Sequence, residues 1–439
     1  MNRQEEGPHD GAVKKVRLLT VYFFVIMLIG LLTNLGSQLL DTSRALYVQS
    51  LGGSASFTGL LLTATAGSAT VARIFTGRTS DKRGRRGLII IGSVVFAAAA
   101  ASFSFFPYLS AFPVICLVRG AGMSMASTAI SIAITDVIPR ERMGEGLGYY
   151  GLAMPLTNVI GPAITTGLIA QGKFDTIHYI AAVLILAVVA IMLFCNYEKD
   201  ARFAKGKTAQ AEPGGSDGPG GKPEDGTPKN ERAEVEKPEI RGIAAYFEKS
   251  ALPCSIIQLF IAIAHGANLT FLMAYAFFIE VPNPVLYYTL SAVFMVAFRL
   301  FTGRLADRTK PVFLIVIGLS FNAVAYTLLL LSHQHTELFY VAGVAAGIAS
   351  GITGPVMQAT VVRMSPEARR GAAMATYTFP MDLGFAIGSF IWGVVLDYSG
   401  YPAMYMGCVG CVFIAIALTI ALLRKVAPAR QIVSSSLRK

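Results

Sequence analysis

The chain has 439 residues, 54% of them hydrophobic and only 14% charged, with 37 Lys plus Arg against 26 Asp plus Glu. An ordinary globular domain carries about 25% charged residues, so this composition excludes a typical water-soluble enzyme and points to a membrane protein. The basic excess raises the question of a nucleic-acid partner, which its placement along the chain answers below.

Taken in chain order, twelve apolar runs have the length that a helix needs to cross a hydrocarbon core, roughly 17 to 25 residues. They cover 18–40, 57–76, 88–106, 111–135, 147–169, 178–195, 253–278, 285–303, 311–331, 338–361, 372–396 and 402–423. The first has no small-residue cleavage pattern behind it and is read as a retained span. Twelve crossings put both termini on one side. The loops and tails on that side hold 22 Lys plus Arg, whereas the opposite loops hold Arg44 and Lys173 alone. By the positive-inside rule both termini are cytoplasmic, in a multi-pass protein of the cell membrane. The basic residues are a topology signal, and none is left over for nucleic acid.

Residues 196–250 are rich in Pro, Gly and charge, lack apolar periodicity, and read as a flexible cytoplasmic linker. The expected organisation is a tail (1–17), a six-helix bundle (18–195), the linker (196–250), a second six-helix bundle (251–423) and a tail (424–439). The halves repeat each other. Arg73, Phe75, Thr76, Gly77, Arg78 and Asp81 recur at an offset of 226 as Arg299, Phe301, Thr302, Gly303, Arg304 and Asp307. Duplicated helical halves are a common architecture of secondary transporters, with the substrate site near mid-membrane between the repeats.

With these residues in view, the sequence resembles the major facilitator superfamily, whose signature between helices 2 and 3 is matched by Gly77, Asp81, Lys82, Gly84, Arg85 and Arg86. A reduced copy stands between helices 8 and 9 at Gly303, Asp307 and Arg308. Arg119 followed by Gly122 is similar to the superfamily's buried-arginine motif. Gly148, Gly161 and Pro162 resemble the antiporter motif of the 12-span drug/proton exporters, although Thr157, Thr165 and Thr166 replace glycines of that motif. The resemblance implies an all-α membrane protein of two pseudo-symmetric six-helix bundles, with helices 1, 4, 7 and 10 around a central cavity. It implies that Asp81 sits near the start of helix 11 as a cytoplasmic latch, with Asp307 doing the same more weakly in the other half.

Ionisable groups inside a bilayer are costly and mark function by default. Asp382, Arg119 and His265 lie within spans and are the candidates for proton coupling; Arg73 and Arg299 are near helix ends and are read as snorkelling to the interface. Asn34, Gln38 and Asp41 share a face of helix 1, and Gln258, His265, Asn268 and Tyr275 a face of helix 7. Together with Asn158 they form the candidate substrate cavity. The five cysteines and the outer "HQH" at 333–335 lack metal-ligand spacing, and no phosphate-loop pattern is present, so neither metal nor cofactor is expected. The expected protein is a monomeric proton-coupled transporter of a small organic molecule, more in keeping with efflux by antiport. Proton-driven uptake of a sugar, organic acid or other nutrient is the alternative within transport, and a receptor or scaffold the alternative outside it.

Overall fold

The computed structural model describes residues 20–139, 142–195, 198, 248–306, 309–366 and 369–424; within these, the side chains of 74, 77–78, 80–83, 144, 148, 152–154, 303–304 and 306 are outside the description. Among the described residues, eleven helical segments are long and apolar enough to span a membrane. They are α1 (Val21–Ser50), α2 (Ala55–Arg83), α3 (Arg86–Phe105), α4 (Phe112–Val137), α5 (Met143–Ala170), α6 (Phe174–Phe194), α7 (Leu252–Phe278), α8 (Val285–Ala306), α9 (Pro311–Leu331), α10 (Glu337–Met364) and the segment Arg370–Leu423. The last has 54 residues. As one straight helix it would be about 80 Å long, far beyond a hydrocarbon core of about 30 Å. It breaks at Gly400, where φ is 76° and ψ 180°, a backbone that a residue with a Cβ rarely adopts. The segment is therefore two crossings, α11 (370–399) and α12 (401–423), which makes twelve.

The helix starts follow local chemistry. Thr20 and Ser54 cap α1 and α2 by accepting from Phe23 N and Phe57 N. Proline occupies the first turn of α4, α7 and α9, where its missing N–H costs nothing. Two sequence boundaries move. α1 runs ten residues past the expected end at 40, so Arg44 lies in the helix and not in a loop. α2 runs to Arg83, so the expected loop between the second and third spans shrinks to Gly84 and Arg85 around a left-handed Gly84 (φ 86°).

The packing is pseudo-symmetric. In the first bundle α1 packs on α5 and α6, α4 on α2 and α3, and α3 on α6. In the second, α8 and α9 pack on α10, and α7 lies against the α11–α12 segment, touching α11 through Gly384 and Gly388 and α12 through Tyr405 and Cys408. Large apolar side chains such as Val183, Phe313 and Phe413 are left exposed on the outside of the bundles. That surface is stable against lipid and not against water. Among the described residues, which include all five cysteines, no disulfide is formed.

Small residues set the close approaches, as membrane helices require when lipid offers no hydrophobic drive. Gly343, Gly347 and Gly351 of α10 lie on the backbone of α8 at Tyr287, Ser291 and Met295. At Gly388 an added Cβ would overlap the Ile263 carbonyl of α7, whereas Gly410 has nothing within 4 Å of such an atom. Gly388→Val is expected to lower stability by about 1 to 3 kcal/mol, read as a fall in unfolding temperature in detergent, and Gly410→Val to leave it unchanged.

Candidate functional site

Between the bundles lies a cavity of about 400 Å³, within the ordinary range for small-molecule sites. α1 contributes Gln38, Asp41 and Thr42, and α5 contributes Asn158. From α7 come Gln258, Ile261, His265 and Asn268, at spacings of three and four that place them on one helical stripe. Asn322 of α9, Gln358 of α10 and Tyr377 of α11 complete the polar wall. Gln38 donates from Nε2 to Asn158 Oδ1, and Tyr377 Oη donates to Gln258 Oε1 at 3.0 Å. His265 leans on the Phe385 ring, with centroids 5.6 Å apart. Asn268 Oδ1 and Thr353 Oγ1 are buried without a hydrogen-bond partner in the same wall. Among the described residues, six that line the cavity are carboxamides, one, Asp41, is a carboxylic acid, and none is Lys or Arg.

Asp41 is the electrostatic centre. Its Oδ1 accepts from Arg119 Nη2 at 2.8 Å and from Arg44 Nη2, and its Oδ2 accepts from Ser37 Oγ at 2.9 Å. Arg119 is 1% exposed and Arg44 6%, while the Asp41 side chain keeps 19% of its surface. Behind the carboxylate, Arg119 Cζ stands 5.8 Å from the centroid of the Phe96 ring, a cation–π contact. Its Nε and Nη1 are buried without hydrogen-bond partners. Two guanidinium groups thus share one carboxylate in a low-dielectric interior, which leaves the cluster one positive charge in excess.

A family model described as Major Facilitator Superfamily matches residues 26–311 and again 285–438. The chain belongs to the Major Facilitator Superfamily. An uncharacterized MFS-type transporter of Methanocaldococcus jannaschii is 23% identical over 391 residues, covering 87% of this chain and 93% of that protein. The staphylopine export protein of Staphylococcus aureus is 21% identical over 394 residues, covering 88% and 92%. The nucleoside transporter NupG superposes with a TM-score of 0.71 at 12% identity, covering 93% of this chain and all of that one; at that identity the likeness concerns the fold. These relatives are transporters, and the protein is accordingly an integral membrane transporter of the superfamily.

Within that framework several expected sites move. Asp382 does not line the cavity: it pairs at 2.5 Å with Arg73 Nη1 of α2, across the bundle interface. Arg73 therefore has a partner and does not merely snorkel, and Arg119 pairs with Asp41 rather than Asp382. Asn34 turns its amide onto its own helix, donating to Gly30 O at 2.8 Å, so it is not a cavity residue. Nor is Tyr275, which is 1% exposed and donates to Leu329 O at 2.7 Å. Tyr275 lies about two turns beyond Asn268 on nearly the same side of α7, and what separates it from the cavity is its burial against α9.

In the cytoplasmic signature, Arg85 pairs with Asp136 at 2.9 Å and Arg86 donates to the Met192 and Leu193 carbonyls at the end of α6. The Glu198 carboxylate accepts from the backbone N–H groups of Arg85 and Arg86, capping α3. These two arginines clamp the helix ends of one bundle, and among the described residues neither pairs with the other bundle. Gly84 supplies the turn between them and α2. The side chains of Asp81 and Lys82, residue 303 beyond its place in α8, and Asp307 and Arg308 altogether, lie outside the described residues. Arg44, Asn322, Gln358 and Tyr377 were missed; a polar residue in an apolar run was the available signal for Asn322 and Gln358.

The charge excess predicts an order of stabilities. Asp41→Asn strands two buried cations and is expected to cost about 3 kcal/mol or more, whereas Arg44→Gln leaves a balanced Asp41–Arg119 pair and costs less. Thermal unfolding of the two variants in detergent checks the order.

Proposed function

We propose that the protein exports a small polar organic molecule in exchange for protons, by rocking its two bundles about the central cavity, with residues 196–250 as the cytoplasmic linker and both termini cytoplasmic in the cell membrane. One observation carries the reading: the single carboxylate in the cavity wall, Asp41, is also the group on which the buried cations Arg44 and Arg119 converge. Ionised, it offers acceptor oxygens to substrate donors reaching it from the cavity. Protonated, it loses its charge, turns one oxygen into a donor and loosens its arginines, which weakens its hold on substrate donors, so proton and substrate compete for one group. Arg119 holds Asp41 in place between turnovers. His265, on the facing wall, is a second titratable group within the same space.

This reading transfers the proton-coupling role from Asp382 to Asp41 and gives Asp382 an interface role with Arg73. The six carboxamides favour a substrate rich in hydroxyl or amide groups, since each amide both donates and accepts. Similarity along nearly the whole chain to a staphylopine export protein supports the outward direction. The chain carries no nucleotide-binding signature that would supply another energy source.

The test uses proteoliposomes and a compound to which a deletion strain becomes sensitive. An acid lumen is expected to drive uptake of that compound into wild-type vesicles. Asp41→Asn should lose this gradient-driven accumulation while keeping counterflow exchange, which also shows that the variant is folded; Asp382→Asn should keep both. Undiminished uphill transport by Asp41→Asn would refute the assignment, and uptake driven by an acid exterior would turn antiport into symport.

A further inference from the structure

α2 and α11 run antiparallel along the bundle interface, from the face carrying Gly84 to the opposite face. Partway along, ten residues before the inner end of α2, Arg73 and Asp382 meet. At the other end Asp397, in the last turn of α11, reaches across to the first turn of α2: its Oδ1 accepts from Ala55 N and its Oδ2 from Ser56 N, both at 2.8 Å. α2 already has its own cap, Ser54 Oγ on Phe57 N at 3.1 Å. The second bundle thus adds a foreign carboxylate to a helix start that the first bundle has capped for itself.

The surroundings fix this approach. One turn before Asp397, Gly393 lies against the backbone of Ala55 and Ser56, and Gly59 lies against Ser389 and Phe390. Thr63 Oγ1 donates to Ala386 O at 2.9 Å one turn further in. An exposed carboxylate at the positive end of a helix is held by a modest charge–dipole attraction, and water is at hand to replace it. Beside it opens a cleft of about 590 Å³ lined also by Gln49, Phe278, His333 and Tyr401, which belong to both bundles. α1 and α7 meet on this same face, where Ala45 joins the core of the second bundle. Any motion that opens the central cavity here has to part α2 from α11 at Asp397.

We propose that Asp397 is a positioning residue of the transport cycle, a latch that holds the bundle ends together on the face opposite the basic loops and lets go whenever the cavity opens there. It is the counterpart, at the other membrane face, of the role that the family resemblance gives Asp81 at the end of α2. The proposal rests on the alternating-access reading above.

The experiment measures labelling by a membrane-impermeant maleimide of two single replacements, Gln49→Cys in the cleft and Gln258→Cys in the cavity toward the basic face, each above the parent chain's background. Adding Asp397→Asn or Asp397→Ala is expected to raise the Gln49→Cys rate roughly two- to fivefold and to lower the Gln258→Cys rate, with the unfolding temperature unchanged. A residue that merely stabilised the fold would lower the unfolding temperature and speed both sites together; that result, or unchanged rates in both variants, overturns the latch. If pH or a transported compound shifts the two rates in opposite directions in the wild-type chain while Asp397 substitutions do not, the latch alone fails. If nothing shifts them oppositely, the alternating-access reading fails with it.

Discussion

A charge inside a bilayer must find its opposite, and in this protein one carboxylate answers for two arginines. Removing the ions from water costs several kcal/mol each even after relaxation, and only close geometry recovers it. Asp41 supplies that geometry with bonds from Arg44, Arg119 and Ser37. The consequence is structural first: α1 continues as a helix to Ser50 through a stretch that carries two charges. It is functional second, because a carboxylate so committed cannot gain a proton or a ligand without disturbing α1 and α4 together.

The packing decides how far such a disturbance can travel. Within each bundle glycines bring backbones into contact, and rows such as Gly343, Gly347 and Gly351 leave little room for independent motion. Between the bundles α2 and α11 also meet backbone to backbone at Gly59 and Gly393, and polar contacts line the same seam: Arg73 with Asp382, Thr63 with the Ala386 carbonyl, and Asp397 with the start of α2. Stiff bodies joined by breakable polar contacts are the physical condition for rigid-body rocking, and the cavity with Asp41 in its wall lies along that join.

Much of the fold was legible in the sequence because bilayer thickness fixes the length of an apolar run. The seventh, eighth and ninth spans began within one residue of their expected starts. The failures have a common cause: a residue-by-residue reading assigns each charge its full solvation cost and cannot see a partner. It therefore left Arg44 in a loop beyond α1, and it placed Arg73 near a helix end although α2 continues ten residues beyond it. Of the candidate site, the α7 stripe of Gln258, His265 and Asn268 was readable from helical spacing, as were Gln38 and Asp41 on α1. Tyr275 satisfies the same spacing but lies two turns further along, where it is buried against α9, a depth that spacing does not report. The partners of Arg119 and Asp382 were not readable, since both depend on which helices the tertiary fold sets side by side.

The central claim is that Asp41 is the carboxyl group that takes up the transported proton. Infrared difference spectroscopy of the purified protein across an acidification step tests it without any substrate, through the carbonyl stretch of a newly protonated carboxylic acid. The account predicts a band in the wild-type protein and in Asp382→Asn that is missing from Asp41→Asn. A band that survives in Asp41→Asn and vanishes in Asp382→Asn would contradict it.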